Sequence, residues 1–159
     1  MQRKNNKKAK FADASRFRVG IAVSEYNPDI TEKLLEGALI TLEGFKVKKE
    51  NIEVIRVPGS FELPLGCLML LKQRRCEAVV ALGCIVKGET EHDAYIASAV
   101  SDGLMHLSLQ FGAPVGFGVL TVRNLEQARA RVNKGEEAVR AVLQMALLHK
   151  EILPSFMGF

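Results

Sequence analysis

Apolar and polar positions along the chain fall into alternating strand-like and helix-like patterns. Phe17 to Ser24 reads as a short apolar strand that ends at a polar break, Glu25-Tyr26-Asn27-Pro28. Ile30, Leu34, Leu35, Ala38, Leu39 and Leu42 then recur at helical spacing, with Pro28 and Asp29 suited to a first turn and Gly44 to a stop. Ile52 to Val57 alternates apolar and polar, which predicts a second strand at a sheet edge, closed by Pro58-Gly59-Ser60. Phe61 to Arg74 is a strongly apolar helical stretch that tolerates Pro64 because it lies in the first turn. Ala78 to Val86 is apolar almost throughout, as expected of a central parallel strand buried on both faces. Gly88-Glu89-Thr90 opens the next predicted helix, with Ile96, Val100, Leu104, Leu107 and Phe111 on one face and Gly112-Ala113-Pro114 at its end. Val115 to Thr121 is the fourth strand. Asn124, with Gln127 three residues on, resembles a capping box for a short helix. A last helix turns Ala138, Val139, Val142, Leu143, Ala146 and Leu147 inward.

Four strand–helix repeats predict an α/β fold: a three-layer flavodoxin-like sandwich with a four-stranded parallel sheet and helices on both faces. Ligands in such sheets bind beyond the carboxyl ends of the strands. Four loops qualify: Glu25-Tyr26-Asn27, Pro58 to Glu62, Cys84 to His92, and Leu120 to Leu125. The expected division is a basic flexible tail over residues 1–16, one α/β domain over 17–153 and a C-terminal tail over 154–159.

A chain of 159 residues has room for one well-filled core. The formal charge of +4 suggests nucleic acid until it is located: Arg3, Lys4, Lys7, Lys8 and Lys10 supply five positive charges in the first ten residues, which leaves −1 for the rest. The folded part is close to neutral, and the tail is either a solvated arm or a contact for phosphate backbones. No apolar run approaches the roughly 18 residues that span a bilayer, and the tail lacks the apolar stretch of a secretory signal, so the expected compartment is the cytoplasm and no membrane partner is expected. Cys67, Cys76 and Cys84 show no CxxC spacing and are expected to be reduced; Cys67 and Cys84 read as core residues rather than ligands.

No dinucleotide, P-loop or zinc-protease motif is present. What remains is Val86-Lys87-Gly88-Glu89-Thr90-Glu91-His92, a passage from a buried strand to a helix N-terminus, where free backbone N–H groups and the helix dipole favour an anion. His92 beside such an anion suits proton transfer near neutral pH; spacing alone does not choose between that role and a surface histidine early in a helix. His106 and His149 have no comparable setting. Arg131 and Lys134, near the junction of the last two helices, are either anion-binding cations or solvated charges. Tyr26 and Phe61, at strand ends, are either stacking platforms for a planar ring or plugs of the core.

Three motifs occur in order: Val57-Pro58-Gly59-Ser60-Phe61-Glu62-Leu63-Pro64, then Ala81-Leu82-Gly83-Cys84-Ile85-Val86-Lys87-Gly88-Glu89-Thr90-Glu91-His92, then Phe117-Gly118-Val119-Leu120-Thr121. Glu126-Gln127-Ala128 and Asn133-Lys134-Gly135 follow. From about Phe17 to Glu151 the chain resembles the 6,7-dimethyl-8-ribityllumazine synthase family. The resemblance implies condensation of 5-amino-6-(D-ribitylamino)uracil with 3,4-dihydroxy-2-butanone 4-phosphate, releasing phosphate and water, with neither a metal nor an organic cofactor. It implies that Tyr26 stacks on the pyrimidine and that Ser60, Phe61, Glu62, Cys84, Ile85 and Val86 bind the ribitylaminouracil. It also implies that the Glu89-Thr90 backbone helps hold the phosphate and that His92 moves protons. Phe117, Arg131 and Lys134 match residues supplied by a neighbouring subunit, with Arg131 gripping the phosphate and Lys134 close to the site, so the expected partner is the chain itself in a homopentamer.

The chain departs from the family pattern at three places. Tyr26 stands where Phe is usual. Asp93-Ala94-Tyr95 stands where many members have an aromatic followed by an acid. Only Val132 separates Arg131 from Asn133-Lys134-Gly135, where several more residues are common, so the junction is short and the placement of Lys134 is less secured than that of Arg131. Twelve pentamers close into a shell in some members through geometry at this junction, and the sequence does not decide shell closure here. Two rival readings are a non-catalytic flavin or lumazine carrier on the same fold and a shell-forming protein.

Overall fold

The computed structural model describes residues 12–153; residues 1–11 of the basic tail and the C-terminal tail 154–159 lie outside the described residues. Strand β1 (Val19–Ser24) leads through helix α1 (Pro28–Gly44) to β2 (Ile52–Val57), then α2 (Leu63–Lys72), β3 (Ala78–Val86), α3 (His92–Phe111), β4 (Val115–Val122), α4 (Leu125–Arg129) and α5 (Lys134–Ile152). All four strands run parallel in the order β2-β1-β3-β4. The expected α/β architecture is thus present, with β2 at an edge and β3 inside.

The residue pattern of each strand follows from what covers it. In β1, Val19, Ile21 and Val23 pack with Leu34 and Leu42 of α1 and Val139 and Leu143 of α5. Ala22 faces the other way, toward Leu63, Cys67 and Leu70 of α2 and Val100 and Leu104 of α3. Both faces of β1 and β3 are therefore dry, and each fully buried Leu or Ile contributes about 1.5–3 kcal/mol. Edge strand β2 leaves Val54 partly exposed, and edge strand β4 does the same for Phe117.

Several boundaries differ from the sequence expectation for local physical reasons. Pro64 has no N–H and fits only a first turn, so α2 starts at Leu63, and Ser60–Glu62 forms a separate 3-10 turn. The left-handed residue after α1 is Lys46 (φ 64°); Gly44 is simply the last helical residue. Phe111, expected on the buried face of α3, is 37% exposed, with the Lys72 ammonium 5.7 Å from its ring. Packing begins ahead of Phe17: Ala14 is buried and donates its N–H to the Phe45 carbonyl at 2.9 Å. None of the described helices is long and apolar enough to cross a membrane.

One glycine sets how α5 sits. A Cβ on Gly135 would lie 2.1 Å from the Leu34 carbonyl oxygen, so α1 and α5 touch backbone to side-chain-free backbone. Gly135→Ala is expected to destabilise the chain by about 1–3 kcal/mol through forced separation of these helices, read by calorimetry as a thermal midpoint lower by several degrees.

Candidate active site

In the order β2-β1-β3-β4 the chain leaves β1 toward one side of the sheet and β3 toward the other, which opens a crevice at their carboxyl ends. A cavity of about 480 Å³ occupies this place. The loop after β1 contributes Tyr26, the turn after β2 contributes Gly59, Ser60, Phe61 and Glu62, and the end of β3 contributes Cys84, Ile85 and Val86. Gly88, Thr90, His92, Asp93 and Ile96 complete its lining.

Tyr26 is 70% and Phe61 62% exposed, so neither plugs the core, and both line the cavity. Ser60 is buried against β3 because Gly83 has no side chain there; a Cβ on Gly83 would lie 2.6 Å from the Ser60 hydroxyl. Burial pushes the Cys84 thiol up to about 11, so Cys84 is a neutral wall of the cavity and not a nucleophile near pH 7.

The strand-to-helix passage differs from expectation in one respect. Helix α3 begins at His92 itself and not at Gly88, so His92 is the first helical residue rather than one a turn inside. The Thr90 hydroxyl accepts the His92 N–H at 3.3 Å, and the Glu91 carbonyl accepts the N–H groups of Ala94 and Tyr95 at 3.1 and 3.3 Å. Residues 88–90 therefore lie ahead of the helix, with a bend at Glu89-Thr90, and the dipole's positive end lies at His92. Gly88 and Thr90 line the cavity, whereas Glu89, between them, does not reach its lining. Among the described residues, no three His, Cys, Asp or Glu side chains are grouped to hold a metal ion.

Phe117, Arg131 and Lys134 lie outside this cavity in the single chain. Phe117, opposite Ala81 in the sheet and 40% exposed, lines a separate depression of about 310 Å³ with Pro114, Met145 and His149. Arg131 lines a polar recess of about 380 Å³ with Lys87, Asp93, Thr121, Arg123 and Gln127, and it shares an adjoining one with Lys134. Asp93 lines both the cavity and the Arg131 recess, so these two hollows share a wall.

The short junction has a compact structure that explains why Arg131 and Lys134 stay together. Asn124 Oδ1 accepts the Gln127 N–H at 2.8 Å, and Gln127 Oε1 returns to the Arg123 N–H at 2.9 Å, a capping box displaced by one residue. Arg131 N–H then donates to the Ala128 carbonyl, and Lys134 N–H to the Arg131 carbonyl, both at 3.0 Å. Lys134 also pairs with Glu137 at 3.6 Å.

Some lining residues escaped the sequence reading. Ile96 was assigned wholly to the core-facing stripe of its helix, yet it is only half-buried and meets the cavity. Asp93 stands out in the sequence only within Asp93-Ala94-Tyr95, as a departure from the family pattern. Asn27, outside the lining but in the candidate loop after β1, lies in the left-handed region at φ 58° and donates from its side chain to the Cys84 carbonyl at 3.0 Å, a contact with no sequence signal.

Comparison with known proteins bears on the same chain. The model of the 6,7-dimethyl-8-ribityllumazine synthase family matches residues 16–150. A relative described as 6,7-dimethyl-8-ribityllumazine synthase, from Parabacteroides distasonis, is 46% identical over 138 residues, which cover 84% of this chain and 86% of the relative.

Proposed function

The chain belongs to the 6,7-dimethyl-8-ribityllumazine synthase family, a transferase of riboflavin biosynthesis, and on that premise we propose which of its residues carry the reaction. The enzyme condenses 5-amino-6-(D-ribitylamino)uracil with 3,4-dihydroxy-2-butanone 4-phosphate to the lumazine, with release of phosphate and water. The observation that carries the assignment is the single cavity that gathers Tyr26, the Ser60–Glu62 turn, the end of β3, Thr90 and His92.

Tyr26 stacks on the pyrimidine. Ser60, Phe61 and Glu62, with Cys84, Ile85 and Val86, hold the ribitylaminouracil, the apolar members excluding water and the polar ones orienting the ring. The bend at Glu89-Thr90 holds the phosphate through its backbone, beside the positive end of α3. The aromatic amine attacks the ketone to form an imine with loss of one water, phosphate leaves by elimination as the enol forms, and, once the enol has become a ketone, attack by the ribitylamino nitrogen with loss of a second water closes the lumazine ring. Each step moves a proton, and His92 at the rim of the cavity is the shuttle. Holding two substrates in reactive geometry supplies several kcal/mol of the acceleration by itself.

The enzyme is a homopentamer in this reading, with Phe117, Arg131 and Lys134 reaching the cavity of the adjacent subunit. Their lining of other surfaces in the single chain is in keeping with that role. The same reading treats residues 17–153 as the catalytic domain and places the enzyme in the cytoplasm, in keeping with three buried free cysteines. Mixing the two substrates with the purified chain and following the lumazine chromophore tests the assignment of the reaction; the expected result is protein-dependent growth of that absorption, and no growth would overturn it.

A further inference from the structure

We infer that Asn27 is a positioning residue for the pyrimidine half of the site, acting through a tether between the loop that carries Tyr26 and the end of β3. This rests on the assignment of Tyr26 and Cys84–Val86 to the pyrimidine. With 70% of Tyr26 exposed, little packing locates its ring, and the ring goes where its backbone puts it. Three bonds fix that backbone. Glu25 N–H donates to the Val57 carbonyl at 2.8 Å, Tyr26 N–H to the Ser24 hydroxyl at 3.2 Å, and the Asn27 side-chain amide to the Cys84 carbonyl at 3.0 Å. The first two hold the turn to β1 and β2. The third carries it across to β3, whose last residues line the cavity from the other side.

Few residue types fit this place. Asn27 sits at φ 58° and ψ 58°, a conformation that Asn and Gly tolerate and most side chains resist. Its carbonyl also receives the N–H groups of Ile30 and Thr31 and so starts α1. Gly would keep the backbone but lose the donor. Asp would keep the shape but set a carboxylate against the Cys84 carbonyl. Asn27 does not itself line the cavity, so its influence on the bound ring passes through Tyr26 and Cys84.

Asn27→Gly separates the tether from the fold. In the full-length chain it is expected to raise the KM for the pyrimidine substrate by about three- to ten-fold, the worth of one ordinary hydrogen bond. The KM for the phosphorylated substrate and the thermal midpoint stay near wild type. Asn27→Asp raises the pyrimidine KM further. In a Tyr26→Ala background the effect of Asn27→Gly shrinks, since the route through the ring is gone and only the one through Cys84 is left. An unmoved pyrimidine KM, a parallel rise of both KM values, or an undiminished effect in the Tyr26→Ala background would overturn the tether. Should Asn27→Gly fail to assemble, Asn27→Asp is read by the same criteria. A wild-type chain that makes no lumazine sinks the site assignment itself, whereas an active wild type with an unmoved Asn27→Gly sinks only the tether.

Discussion

Arg131→Ala is expected to raise the KM for the phosphorylated substrate by roughly ten- to a hundred-fold while leaving the KM for the pyrimidine within about two-fold, since a hydrogen bond to a charged group contributes about 1.5–3 kcal/mol. A guanidinium meets a phosphate with two parallel N–H bonds, a fork that alanine removes. The turn itself survives, because Arg131 enters it through its backbone N–H and carbonyl and not through its side chain. Arg131→Lys keeps the charge without the fork and is expected to fall between wild type and Arg131→Ala. Initial rates measured across both substrate concentrations separate the two KM values. An effect confined to the pyrimidine would count against the assignment of Arg131 to the phosphate.

His92→Ala is expected to lower turnover by roughly ten- to a thousand-fold at saturating concentrations of both substrates. The range sits toward the lower end for a proton-transfer group because the cavity still holds the two reactants together. Loss of fold does not enter: His92 is exposed, and its one described bond is made by the backbone N–H, which alanine keeps. The thermal midpoint should stay within a degree or two of wild type. Unchanged turnover with both substrates bound would remove His92 from the chemistry.

The parts of this molecule that were legible in its sequence are those in which each residue reports on its own surroundings. Ala78 to Val86 had to be apolar on both faces because α1 and α5 cover one and α2 and α3 the other. Ile52 to Val57 alternates because β2 is an edge strand among the described residues, with its faces only partly covered. The cavity's residues were legible as a resemblance, but Tyr26 and Phe61 remained ambiguous between core and ligand until their exposure was known. What stayed hidden depends on distant parts of the chain meeting. The start of α3 at His92 is a local exception, made with the Thr90 hydroxyl two residues upstream. The tether joins Asn27 to Cys84 across 57 residues, and no periodicity announces it. The close approach of Gly135 to Leu34 likewise joins two helices that are far apart in sequence.

In the proposed pentamer Phe117, Arg131 and Lys134 complete the neighbour's site, and the shared wall at Asp93 sharpens the choice between Arg131 serving its own subunit's cavity and serving the next. Mixed assemblies of His92→Ala and Arg131→Ala subunits decide it. Each variant alone has every site defective, whichever subunit Arg131 serves. If each site takes His92 from one subunit and Arg131 from its neighbour, random co-assembly at equal amounts regenerates about a quarter of the sites intact, as a head-to-tail ring requires. Lumazine formation by the mixture, measured at low concentration of the phosphorylated substrate, should then rise well above that of either variant alone. Activity of the co-assembled mixture no higher than the mean of the two separate variants would contradict a site built between subunits.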